Sequence, residues 1–166
     1  MNIGKTNYVR NLVLLAGFTA GLADFLFASI KRTMNGGAWT DPWRGVAGCL
    51  VGQSARDGGF EMVLLGIALH FFICFVAAAL LYFILKKVPA LPRQWLLVAV
   101  VYGIVFLLVM NYVVAPLSLA RRSIYPVESL PMNAFWHIVL VGLASGWFVT
   151  RALKAAPAPG TLSGPA

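Results

Sequence analysis

MVLLGIALHFFICFVAAALLYFIL, Met62 to Leu85, decides the fold. It exceeds the roughly 20 apolar residues that a helix needs to cross a hydrocarbon core. Three further runs match it in kind: Leu12 to Ile30, Trp95 to about Ala115, and Asn133 to Thr150. Prolines bound them, with Pro89 and Pro92 before the third, Pro116 after it and Pro131 before the fourth. A lone strand cannot satisfy its backbone in lipid, so all four read as helices. The third run is rich in valine, but its length decides for a helix. The chain therefore reads as an all-α membrane protein, an antiparallel bundle of four transmembrane helices. The spans cover about residues 12–30, 62–85, 95–115 and 133–150, within one domain over residues 1–151. The small, Pro/Gly-rich tail, residues 152–166, reads as disordered.

Composition agrees. Of 166 residues, 60% are hydrophobic and 11% charged, with a mean hydropathy of +0.84. A soluble domain carries roughly a quarter of its residues charged. The net charge of +8 would suggest nucleic acid in a soluble protein. Here the basic residues sit between apolar runs, so the expected partner is the bilayer with its anionic headgroups, not nucleic acid. The first run follows Lys5 and Arg10, as a signal peptide would. It is longer than a usual signal core and lacks a clean small-x-small site, so it reads as a retained span.

Orientation rests on a narrow margin. With both termini cytoplasmic, the inner segments carry Lys5, Arg10, Lys86, Lys87, Arg93, Arg151 and Lys154. The outer loops then carry Lys31, Arg32, Arg44, Arg56, Arg121 and Arg122, together with every acidic loop residue: Asp41, Asp57, Glu61 and Glu128. The small Lys/Arg excess favours cytoplasmic termini.

The first outer loop contains Asp41-Pro42-Trp43-Arg44, where Asp41 can cap a helix and Pro42 suits its first turn. Trp43, Val46, Ala47, Leu50 and Ser54 then share a face. The favoured expectation is a loop helix under the headgroups, anchored by Trp39 and Trp43. The alternative is a lid over the bundle. Cys49 and Cys74 differ too much in expected depth for a disulfide, and Cys74 reads as a small buried residue.

Polar residues inside spans are costly and face the bundle interior. Here they are Asp24, His70, Asn111 and His137, about one per helix. Asp24 is about 9 Å from the outer end of its span, His70 about 12 Å, and Asn111 and His137 roughly 6 Å. All four fall in the same half of the membrane. Gly17, Gly21, Asp24 and Ala28 share one face of the first helix, and Gly66, His70, Cys74 and Ala77 one face of the second. Small residues let helices approach, so Gly17, Gly21, Gly66 and the pair Gly142/Gly146 are the expected packing positions. His137 projects away from the Gly142/Gly146 face in a regular helix.

Several functions fit this cluster. It can be structural, with Asp24 paired to a histidine and Asn111 bonding across helices. It can respond to pH or pass protons, because histidine titrates near neutrality and a neighbouring carboxylate favours its charged form. It can hold haem b, with His70 and His137 as axial ligands of an electron-transfer subunit; otherwise no cofactor and no metal is expected. A transporter of protons or small solutes is the remaining class. It would need a homo-oligomer, since four helices of this length are expected to leave little room for a cavity. Enzyme motifs are absent: there is no Gly-rich phosphate loop before a lysine, no GxSxG and no HExxH. The sequence therefore leans away from an enzyme.

GLADFLFASIKR (residues 21–32), RGVAGCLVGQSARDGGFEMVLLGIALHF (44–71), VYGIVFLLVMNYVVAPLS (101–118) and HIVLVGLASGWF (137–148) occur in an order similar to a group of small four-span bacterial membrane proteins. That group distantly resembles the YagU family of inner-membrane proteins. The resemblance covers Gly17 to Phe148. Its most specific parts are the stretch ending in His70, Met110-Asn111 with Pro116, and His137. It implies a bacterial inner membrane and assigns no reaction. It carries no role to Asp24, whose place takes other small or polar residues in those proteins.

Overall fold

A computed structural model gives the fold and describes residues 3–88, 90–121 and 124–156. Pro89, Arg122 and the tail from Pro157 onward, all used in the sequence reading, lie outside these residues. The elements are α1 (Ile3–Met34), α2 (Asp41–Val51), α3 (Phe60–Lys86), α4 (Trp95–Leu117) and α5 (Val127–Ala155). All but α2 are long and apolar enough to cross a bilayer. The chain is an all-α, multi-pass membrane protein, and among the described residues it has no strand.

The helices outrun their apolar segments. α1 begins at Ile3, so Lys5 to Asn11 continue the span as helix. α5 continues to Ala155, four residues into the stretch read as disordered tail. Hydropathy marks the part of a helix that lies in lipid, while the hydrogen-bond ladder extends further into the headgroups.

Large side chains point outward. Leu15, Phe18, Leu22 and Leu26 form one such exposed stripe on α1, and Phe72, Val76, Leu80 and Phe83 another on α3. The inward positions are small, as lipid demands: lipid tails are as apolar as leucine, so helices associate through close packing. A Cβ on Gly17 would stand 2.7 Å from Phe75, and one on Gly21 2.9 Å from Phe71, so both glycines seat α1 on α3. Gly142 faces the Ala99 carbonyl, and a Cβ on Gly146 would stand 2.9 Å from Ala99 Cβ, which joins α5 to α4. α1 also packs along α5, whereas α3 and α4 make little direct contact.

We expect Gly21→Leu to lower stability by about 1–3 kcal/mol or more, because the added atoms meet Phe71 and the Cys74 side chain. Ala79→Leu, on a less crowded face, should cost less. Equal loss in thermal unfolding in detergent would remove the proposed α1–α3 seam.

The two ends of the bundle differ. Toward the termini, Ala16, Ala78, Leu81, Leu85, Val98 and Val149 form a solid core, with Tyr82, Tyr102 and Phe148 packed against it. Toward α2 the helices separate around a cavity. α4 and α5 each contain a π turn, Met110–Val114 at the cavity and Ile138–Gly142 packed on α4. The first precedes Pro116, which lacks an N–H and crowds the carbonyl of residue i−4. The wide turn absorbs that conflict, and the helix continues through Pro116 to Leu117. The π turn in α5 also changes the phase of the helix. It makes five residues about one turn, so His137 and Gly142 are both buried. His137 lines the cavity, whereas Gly142 faces Ala99 of α4.

Candidate functional site

α2 roofs the hollow half. Trp43, expected to anchor in headgroups, is 1% exposed. It stacks on Phe25 with ring centroids 4.6 Å apart and donates Nε1–H to Ser29 Oγ at 3.1 Å. The backbone of Trp43 sits directly over Gly66, where any Cβ would overlap it. Gly66 thus serves close packing, but its partner is the loop helix and not another span. On its other side α2 is tied to the chain leaving α4, since Leu119 N–H donates to the Cys49 carbonyl at 3.1 Å. Trp39 remains exposed.

Asp41 does not cap α2 as expected. Thr40 holds the N-cap position, and its side chain makes no capping bond. The Asp41 carboxylate instead accepts from Arg32 Nε at 2.7 Å and from the Ala38 N–H at 3.2 Å, with Arg44 3.9 Å away. The hydrogen bond from Arg32 holds this carboxyl below the usual range, and the nearby guanidinium charges act the same way. The contact therefore persists above the ordinary carboxylate range and is lost as pH falls through the lowered value. It ties α1 to α2 at the rim.

The cavity below this roof has a volume of about 740 Å³. That is within the range of small-molecule sites, about 300–1,000 Å³. Asp24, His70 and His137 all line it. The room that the sequence reading denied to a single chain is present. Aromatic rings supply much of the wall: Phe27, Trp43, Phe106, Tyr125 and Trp136. Phe27 and Trp136 face each other at 4.6 Å. Lys31, Arg32, Arg44 and Arg56 line the cavity from the α2 end.

The expected pairing of Asp24 with a histidine does not form. Among the described residues Asp24 makes no hydrogen bond and no ion pair. His70 Nε2 lies 2.9 Å from the Gly21 carbonyl. Gly21 has no side chain, so α3 comes close enough for that carbonyl to capture the ring. His137 Nδ1 lies 2.8 Å from the Asn133 carbonyl, one turn earlier. A carbonyl only accepts, so each ring donates at that nitrogen. The neutral rings then carry their lone pairs on Nδ1 of His70 and Nε2 of His137. No partner among the described residues covers those nitrogens, and none of them is sealed from solvent-sized space.

Asn111 belongs to a different arrangement. It is 0% exposed and lies outside the cavity wall. Its Oδ1 accepts the Tyr125 N–H at 2.7 Å, and its Nδ2 donates to the Tyr125 carbonyl at 3.3 Å. Asn111 therefore folds the α4–α5 connection over the end of α4 and places Tyr125 in the wall. Burial pushes the Tyr125 phenol up, and the Asp24 carboxylate adds to the effect. The expected bond across helices is replaced by a bond to a loop backbone, which regular spacing does not reveal.

No family model, no curated protein and no solved structure matches this chain. The residues themselves must carry the argument. Among the described residues no three His, Cys, Asp or Glu side chains are grouped to hold a metal ion. Haem ligated by both histidines fits poorly, because axial ligation uses Nε2 and His70 has committed Nε2 to Gly21. Both cysteines are free thiols and both line the cavity.

Proposed function

We propose that this chain is a non-enzymatic, solute-binding membrane protein of the transport class, with its binding site in the hollow half of the bundle. The observation that carries this reading is the cavity of about 740 Å³ that gathers Asp24, His70 and His137 beneath α2. A purely structural cluster would bond its members to each other. Here Asp24 and one nitrogen of each histidine are left for an occupant. The π turn of α4 supplies Met110 to the wall, and such turns are frequent at functional positions. No second protomer is needed to form the site. We place the termini on the cytoplasmic side of a bacterial inner membrane, in keeping with the YagU-like resemblance and the Lys/Arg balance.

The test of the site uses a small, membrane-impermeant thiol reagent on a Cys49→Ser/Cys74→Ser background. Ala28→Cys lines the cavity and should react from the α2 side, whereas Ala78→Cys, in the solid core, should not. No reaction at either position would remove the accessible cavity. Orientation is tested on whole cells: Glu128→Cys should label from outside and Lys154→Cys should not. The reverse pattern would invert the topology.

A further inference from the structure

The charged groups of the cavity are sorted along its depth. At the rim four cations, Lys31, Arg32, Arg44 and Arg56, outnumber one carboxylate, Asp41, which is taken up by Arg32 and Arg44. Arg56 makes no hydrogen bond or ion pair among the described residues, and Arg44 uses Nε and Nη1 on Gly58 and Thr40. Arg44 and Arg56 also flank a niche of about 10 Å³ with Gln53, where Gly45, Gly48 and Gly52 keep side chains out of the way. That volume takes about one water-sized atom. Two guanidinium groups around a one-atom niche match an oxygen of a carboxylate or phosphate.

At depth the one charged group is the Asp24 carboxylate, in the same wall as His70 and His137. In the neutral rings the backbone bonds leave lone pairs on His70 Nδ1 and His137 Nε2. Tyr125 and Trp136 bring O–H and N–H donors to the same wall, so it is the unpaired carboxylate that calls for a cation there. The aromatic wall suits a cation and an apolar body alike: Phe27 packs on Trp136, and Lys31 Nζ stands 5.6 Å from the Phe27 centroid. Arg32 and Arg44 share Asp41 at the rim, and Asp24 lies two turns below Arg32 on α1, about 10–12 Å away, which sets the scale of the separation.

We infer that the cavity takes an elongated zwitterion, with an anionic group at Arg44 and Arg56, an ammonium group at Asp24, and an apolar body of about 10 Å between them. This rests on the reading of the hollow as a solute site. Either end alone would attract a simple ion, but Arg56 or Asp24 would then stay without a partner among the described residues. A molecule bearing both charges satisfies both ends at once, and specificity arises from the spacing.

The probes are 8-aminooctanoate, octanoate and octylamine, titrated calorimetrically into the full chain in lipid nanodiscs. The zwitterion should bind at least about tenfold more tightly than either singly charged analogue, the gain of one charge-assisted hydrogen bond. Asp24→Asn should reduce it to the level of octanoate, and Arg56→Gln should reduce it to the level of octylamine. A shorter probe, 4-aminobutanoate, should lose the advantage because it cannot reach both ends. Equal binding of octylamine and the zwitterion, or of octanoate and the zwitterion, overturns the two-ended site. Binding of none of the probes overturns it too. The Ala28→Cys labelling then separates the cases: a reactive thiol keeps the cavity and removes only the ligand class, and an unreactive thiol removes both.

Discussion

Gly66→Ala is expected to detach α2 from the bundle. The added methyl would occupy the position of the Trp43 carbonyl, and a backbone cannot swing aside as a flexible side chain can. Overpacking of this kind costs about 2–3 kcal/mol, which lowers the midpoint of thermal unfolding by about 5–10 °C for a chain of this size. The loss should be local as well as global. Trp43 would leave Phe25 and Ser29 for a wetter place, so its emission should shift to the red. Gly45→Ala is the matched control. A Cβ there meets nothing within 4 Å, and alanine is the better helix former, so stability should hold or rise slightly. If both variants unfold alike, the α2–α3 contact is not what holds the roof.

Asn111→Leu should be nearly as damaging for a different reason. Leucine is similar in volume and is welcome in a span. It cannot, however, satisfy the Tyr125 N–H and C=O that Asn111 holds at 2.7 and 3.3 Å. A buried group left without a partner costs about 1–3 kcal/mol; Tyr125 is half-buried, so the pair together falls at the low end, about 2 kcal/mol. The Tyr125 amide should exchange with solvent deuterium much faster, while amides of the solid core around Val98 and Val149 should be unchanged. Asn111→Asp keeps the acceptor and loses the donor, so it should protect Tyr125 N–H better than leucine does. Unchanged exchange at Tyr125 in the leucine variant would show that the connection is held by other contacts.

The four spans were legible because bilayer thickness imposes a length that few other structures share. The glycine faces of α1 and α3 were legible for a related reason, since small residues at helical spacing have few uses in lipid other than close approach. The partner was not legible: the face of Gly66 was plain, but nothing in the sequence distinguishes a neighbouring span from a loop helix. Trp43 was misread on the same ground, because a tryptophan beside a proline-started helix suits the headgroups as well as a core. Asp24, His70 and His137 were placed at a common depth, and all three reach one cavity. Their pairing was not legible because backbone carbonyls compete for histidine N–H groups. At Gly21 the missing side chain lets the carbonyl win. The π turns were hidden because they obey no residue code, and a strict 3.6-residue period cannot locate them. The cavity was least legible of all, since sequence records what fills space and not what is left empty.

The division into a solid and a hollow half has an electrical consequence. Where water enters a hollow, the local dielectric is high and the potential of the adjoining solution is carried inward with it. The membrane voltage then falls mainly across the solid half, over a distance shorter than the full bilayer. Asp24 and the two histidines would sit near the potential of the α2 side. A charge leaving the cavity toward the termini would cross nearly the whole field in a short step, at about 2.3 kcal/mol per elementary charge for each 100 mV.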